Sequence, residues 1–132
     1  MAIKQTFKKE ERLSGKKSIA ALFGEGSGFF VYPFKVVFLT VPDECPVPVQ
    51  LLISVSKRNF KKAVDRNKIK RLIREAYRKN KHILCDDLSV HSKSLFLGFI
   101  YNAKTIMEYK EIERKIILIL QRLIKGDEET AG

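Results

Sequence analysis

Between residues 57 and 81 the chain reads KRNFKKAVDRNKIKRLIREAYRKNK, and this stretch decides much of what can be built around it. Ile69, Leu72, Ile73, Ala76 and Tyr77 fall at i, i+3, i+4, i+7 and i+8, the spacing of one apolar stripe on an α-helix. Twelve of these 25 residues are Lys or Arg, and only Asp65 and Glu75 are acidic. Such a helix can bury one side only. The stripe must rest on a core, and the other side must stay in water or meet a partner of opposite charge. Away from the stripe, Asn67, Arg71, Arg74 and Arg78 form a polar row at helical spacing, flanked by Lys68 and Lys70. The regular stripe starts near Ile69, and Asp65 suits the positive end of the helix dipole.

The remaining pattern supplies that core. Ser14 to Leu22 predicts a short helix, with Ser14 as N-cap and Ile19, Leu22 and Phe23 as its apolar side, stopped by Gly24, Gly26 and Gly28. Phe29 to Val41 is β-rich, and Phe30, Tyr32, Phe34, Val36 and Phe38 form one alternating set. Pro33 divides this stretch into two pieces. A turn-like PDECPVP leads to a strand over Val49 to Ser56. After the basic helix, a loop is expected around Cys85 to Lys93, then a buried strand over Ser94 to Tyr101. Thr105-Ile106-Met107-Glu108 has the capping-box pattern of a helix start. That last helix is expected to run to about Lys125. The order helix, strands, helix, strand, helix predicts an α+β fold in which sheet and helices form a sandwich. A length of 132 residues fits one domain over 1–125, with a frayed tail over 126–132.

Charge narrows the function. The chain carries +11 at neutral pH. Residues 57 to 81 hold +10, residues 1 to 22 hold +4, and everything else sums to −3. A basic face on a near-neutral body is the footprint of a protein that meets phosphates. No apolar stretch approaches the ~20 residues needed to cross a bilayer, and the first twelve residues lack the apolar centre of a secretion signal. Two unpatterned cysteines, Cys45 and Cys85, fit a reducing compartment, so a cytoplasmic setting is expected. A membrane-surface role is disfavoured, because the basic helix has an ordinary core stripe and the chain has no tryptophan.

No protein-based active site emerges. His82 and His91 sit in no metal-ligand spacing, and neither phosphate-loop glycine motif occurs. The acidic pairs Glu10-Glu11 and Asp43-Glu44 carry no burial signal that would tune a carboxyl group. If this chain serves a reaction, another molecule is expected to supply the reacting groups. A nuclease acting alone is therefore disfavoured.

The segment SVSKRNFKKAVDRNKIKRLIREAYR resembles the signature of the bacterial ribonuclease P protein component. The matching parts are Ser54-Val55-Ser56-Lys57-Arg58, Ala63-Val64, and Arg66-Asn67-Lys68-Ile69-Lys70-Arg71-Leu72-Ile73-Arg74-Glu75. Glu11-Arg12-Leu13 and Leu22-Phe23-Gly24-Glu25-Gly26 resemble the family's N-terminal helix region and its closing turn. The resemblance implies a two-layer α/β sandwich with a left-handed βαβ crossover, as in the second domain of ribosomal protein S5. It implies binding to ribonuclease P RNA and removal of the 5′ leader of precursor tRNA. The RNA performs the hydrolysis with Mg²⁺, the protein assists, and no protein partner is implied.

Residue by residue, the resemblance implies that Arg66, Asn67, Lys68, Lys70, Arg71 and Arg74 face the RNA subunit. It implies that Lys57, Arg58 and Lys62 lie near the leader path, and that Phe23 lines the leader cleft. Phe38 falls near a position that often holds tyrosine in that cleft. Read without the resemblance, Phe23 is explained as well by core as by a cleft, and Phe38 is better explained as core. Lys68 stands where many relatives have arginine, which keeps the charge and loses the bidentate fork. Ile19 stands where relatives often have a second phenylalanine, which weakens stacking there. The alternative function is a non-catalytic, ribosome-associated RNA-binding protein.

Overall fold

A computed structural model describes residues 11–41, 47–90 and 94–131. The elements are α1 (Lys16–Glu25), β1 (Ser27–Val31), β2 (Phe34–Val41), β3 (Val49–Val55), α2 (Ala63–Asn80), α3 (His82–Val90), β4 (Ser94–Tyr101) and α4 (Tyr109–Ala131). The strands form one mixed sheet in the order β1-β2-β4-β3. β1 to β2 and β2 to β4 are antiparallel, and β3 to β4 is parallel. Parallel neighbours need a crossover, and α2 with α3 provides it.

The alternation of each strand fixes two sheet faces. Phe34 and Val36 on β2, Leu97, Phe99 and Tyr101 on β4, and Leu51 and Val55 on β3 point into the main core. There they meet Ile69, Ile73, Ala76 and Tyr77 of α2 and Ile112, Ile116, Ile119 and Leu120 of α4. A chain of rings runs through it: Phe60 to Tyr101 at 6.1 Å, Tyr101 to Phe34 at 5.7 Å, Phe34 to Phe99 at 5.7 Å and Phe99 to Tyr77 at 6.3 Å between centroids. The opposite face carries a smaller core of Leu13, Leu22 and Val37, with Ile19, Leu39, Leu52 and Phe96 around it. α1 packs there, on β2 and β4. Gly98 lets it approach: a Cβ at that position would stand 2.7 Å from Val37 Cγ2 and 3.3 Å from Leu22 Cδ2. The sheet therefore has helices on both faces, where a two-layer sandwich placed them on one.

Several elements differ from the sequence reading. α1 starts one residue later, at Lys16, because Gly15 takes φ 94° as its N-cap and no side chain caps it. It also passes through Gly24 and ends at Glu25, where the Gly26 amide donates to the Leu22 carbonyl. The expected loop after the basic helix is α3 from residue 82 to 90, held by the buried Leu84 and Leu88 one turn apart. The capping box at Thr105 does not form. The Tyr101 hydroxyl donates to the Thr105 carbonyl at 2.7 Å and accepts from the Met107 amide at 3.1 Å, and α4 begins at Tyr109. α4 runs past Lys125 to Ala131. The turn over 42–46 with Cys45, and His91, lie outside the described residues.

The N-terminal segment closes the outer side of β3. Arg12 bridges Leu51 in parallel, and the Leu13 amide donates to the Leu51 carbonyl at 2.9 Å. Glu11 meets Lys81 at 2.5 Å with both side chains largely covered, tying this segment to the end of α2.

Candidate nucleic-acid interface

α2 presents the face that its stripe requires. Its buried residues are Ile69, Ile73, Ala76 and Tyr77, with Leu72 half-buried. Asn67, Lys68 and Arg71 are exposed, and Arg66, Lys70 and Arg74 are half-buried. Among the described residues Lys68, Lys70 and Arg71 form no ion pair. Arg78, the last of the polar row, is engaged instead by Glu75 one turn earlier. Asp65 lies in the first turn, where an acid complements the helix dipole.

Arg74 sits deeper than Arg71. Burial lowers its pKa, and the nearby guanidinium groups of Arg12 and Arg71 lower it further. Arg12, Lys70 and Arg74 line an open pocket of about 170 Å³ floored by Leu13, Leu51 and Ile53, between the N-terminal segment, β3 and α2. Three cations around one depression give it a positive character that suits an anion. Arg12 was not among the expected site residues. The bridge to Leu51 and the Glu11–Lys81 pair bring its segment to α2, and no pattern in the sequence announces them.

The β3–α2 loop holds the second group of cations. Lys57, Arg58, Lys61 and Lys62 are all exposed. The Arg58 amide donates to Ser56 Oγ at 3.1 Å, and the Phe60 amide donates to the Ser56 carbonyl at 3.1 Å. Phe60 is buried against Tyr101, which pins the loop to the core. Arg66 Nη1 donates to the carbonyls of Phe60 at 2.8 Å and Lys61 at 2.9 Å. So Arg66 is engaged by its own loop, while its neighbours on α2 point outward.

The two expected cleft aromatics are separated. Phe23 lies on α1, whose Leu22 packs on Val37, and it is 49% exposed. Phe38 points to the other face, half-buried in the main core with its ring 6.0 Å from Phe29. The sheet lies between them, so Phe38 is core and cannot share a cleft with Phe23. Phe30 does share the face of Phe23, because its cross-strand partner Lys35 alternates with the buried Phe34 and Val36. The register then runs Phe30, Lys35, Ile100, Ser54 across all four strands. Phe30 is 51% exposed and Tyr32, 6.4 Å away between ring centroids, is 57% exposed. The sequence reading placed Phe30 and Phe38 in one alternating set. The two-residue connection at Tyr32-Pro33 shifts the phase, so they fall on opposite faces.

A four-stranded mixed sheet with a cationic helix beside its parallel pair is the build of a small α+β protein made to meet a polyanion. Comparison with known proteins agrees over nearly the whole chain. Residues 7–123 match the family model described as Ribonuclease P. The chain is 37% identical over 115 residues to the ribonuclease P protein component of Porphyromonas gingivalis, covering 87% of this chain and 84% of that protein. It is 33% identical over 122 residues to that of Petrotoga mobilis, covering 90% and 96%. The solved RNase P protein of Thermotoga maritima superposes with a TM-score of 0.68 at 26% identity, over 85% of this chain and 96% of that one. That of Staphylococcus aureus gives 0.64 at 26% identity, over 86% and 94%. The chain belongs to the family of bacterial ribonuclease P protein components, and it is thereby a component of the ribonuclease P holoenzyme, which works in tRNA processing. That membership implies ribonuclease P RNA as its partner. Among the described residues no helix is long and apolar enough to cross a membrane.

Proposed function

We propose that the chain uses two surfaces within the holoenzyme, one for the RNA subunit and one for the 5′ leader of precursor tRNA. The outward side of α2, with Asn67, Lys68, Lys70, Arg71 and Arg74 and the loop-bound Arg66 at its start, is the RNA-subunit surface. The observation that carries this reading is the absence of ion pairs on Lys68, Lys70 and Arg71 among the described residues. Folded RNA is met through its backbone and shape, which asks for spaced cations rather than a shaped pocket. Arg12 joins this surface through its closeness to Lys70 and Arg74.

The leader path is the sheet face that α1 only partly covers. Phe23 borders it on one side, the row Phe30–Lys35–Ile100–Ser54 crosses it, and Lys57, Arg58 and Lys62 lie beyond the end of β3. Exposed rings beside cations hold single strands through stacking and phosphate contacts, with little sequence preference. We read the β3–α2–α3–β4 connection as the left-handed crossover that the family resemblance implies, and the setting as cytoplasmic.

Hydrolysis is assigned to the RNA. Among the described residues no group of three or more His, Cys, Asp or Glu could hold a metal ion. The described residues offer no Mg²⁺ site, and the ion is assigned to the RNA subunit. The protein contributes by neutralising phosphate repulsion where substrate and RNA subunit meet. The test is leader removal from precursor tRNA at low Mg²⁺ by RNA alone and by RNA with protein. Cleavage only with both supports the reading, and equal cleavage without the protein overturns it.

A further inference from the structure

We infer that Glu11 is a positioning residue: paired with Lys81, it fastens the N-terminal segment so that Arg12 stands beside Lys70 and Arg74 on the basic surface. The pair is close and covered. Lys81 Nζ donates to Glu11 Oε1 at 2.5 Å, and the two side chains are 12% and 13% exposed. It joins a residue ahead of α1 to the C-cap of α2, across 70 positions of the chain.

Arg12 follows Glu11 directly and is tied on its other side as well. It bridges Leu51, the Leu13 amide donates to the Leu51 carbonyl at 2.9 Å, and the Leu13 side chain is sunk in the smaller core. Leu13 thus fixes the segment to β3, and Glu11 fixes it to α2. A segment tied at one point is free to pivot, and its arginine pivots with it. Two ties on different elements set where the Arg12 side chain starts and which way it reaches. The result is visible on α2. Burial lowers the pKa of Arg74, and Arg12 is close enough to lower it further. The two share one open depression with Lys70.

The inference rests on the proposed reading of α2 and Arg12 as the RNA-subunit surface, and it turns on a sign. By its field alone, an acid near that surface weakens the hold on a polyanion, so removing it tightens binding. If Glu11 acts through Arg12, removing it loosens binding instead. The experiment uses Glu11→Gln, Lys81→Gln and Arg12→Ala, and each of the first two combined with Arg12→Ala, all reconstituted with the RNA subunit. Three quantities are read: affinity for ribonuclease P RNA at several salt concentrations, hydrogen exchange at the Leu13 amide, and the thermal melt.

Arg12→Ala is expected to weaken binding and to make the log–log salt slope shallower by about 0.7–0.9, the share of one phosphate contact. Glu11→Gln makes the chain more positive, yet it is expected to weaken binding several-fold, to move the slope toward that of Arg12→Ala and to speed exchange at Leu13. Lys81→Gln is expected to do the same, and it carries the test if Glu11→Gln melts too early to measure. Each combined variant is expected to bind no more weakly than Arg12→Ala alone, because both changes remove the same contact. Equal or tighter binding by Glu11→Gln, losses that add in the combined variants, or parent-like binding by Arg12→Ala overturns the inference. Failure of the surface reading itself shows separately, as unchanged affinity in the Arg71→Glu, Arg74→Glu double variant.

Discussion

Phe23 and Phe38 stand on opposite faces of one sheet, the first half-exposed beside α1 and the second packed on Phe29 under α4. Two aromatics of similar standing in the sequence therefore have separable roles. Phe23→Ala is expected to weaken binding of leader-bearing precursor by about 1–3 kcal/mol, the worth of one stacked base, with little change in Tm. Phe38→Ala is expected to reduce folding stability by about 1–3 kcal/mol, less than the roughly 3–5 kcal/mol of a fully buried phenylalanine. Denaturant unfolding and substrate binding on both variants check the split.

The outward side of α2 can be tested by charge. Arg71→Glu with Arg74→Glu is expected to weaken RNA-subunit binding and to flatten its log–log salt dependence by about 1.5 or more. A fold that melts as the parent does separates a lost RNA contact from a lost structure. Binding at several salt concentrations, together with a thermal melt, reads both effects. Unchanged affinity at every salt would remove this face from the RNA contact.

Gly98 sets the distance between α1 and the sheet. Gly98→Ala puts a methyl 2.7 Å from Val37 Cγ2, a β-branched side chain with little room to turn. The expected cost is about 1–3 kcal/mol of stability. Adding Val37→Ala should recover part of it by removing the clashing methyl. Equal stability of the parent and Gly98→Ala would show that α1 yields without loss.

Cys85 tests burial under the α2–α3 corner. Burial pushes its thiol up to about 11, against smaller opposing effects of a Tyr77 hydrogen bond and Lys81. The neutral thiol is thus favoured by the folded state. Above the ordinary thiol range the unfolded chain releases this proton first, so stability falls as pH rises from there toward 11. Tyr77, also raised chiefly by burial, acts in the same direction. Alkylation of Cys85 at pH 8 is expected to be slow in the native protein and fast in denaturant. Equally fast alkylation in both would mean an open corner.

What the sequence disclosed was whatever local pattern alone decides. β4 has the predicted bounds Ser94–Tyr101, because a strand buried on both faces is a continuous apolar run. The stripe of α2 was legible for the same reason. The capping box at Thr105 fails because the Tyr101 hydroxyl, at the end of β4 and outside the four-residue pattern, takes the Thr105 carbonyl and the Met107 amide. α3 is hidden in the sequence because Leu84 and Leu88, one turn apart with Asp86 and Asp87 between them, reveal a buried side only when packed. On the site, the cations of α2 were evident from composition and spacing. Arg12 and Lys35 were not, since each joins the surface through strand register.

The backbone bond from Leu13 to Leu51 has a bearing on how the protein behaves when trimmed. A chain begun at Ser14 would leave Leu51-Leu52-Ile53 as a bare apolar rim with unmet amide and carbonyl groups, a template onto which another molecule can add a strand. Shortening the N-terminus past this bond would then register as clumping in concentrated solution, beside the loss of Arg12 from the basic surface.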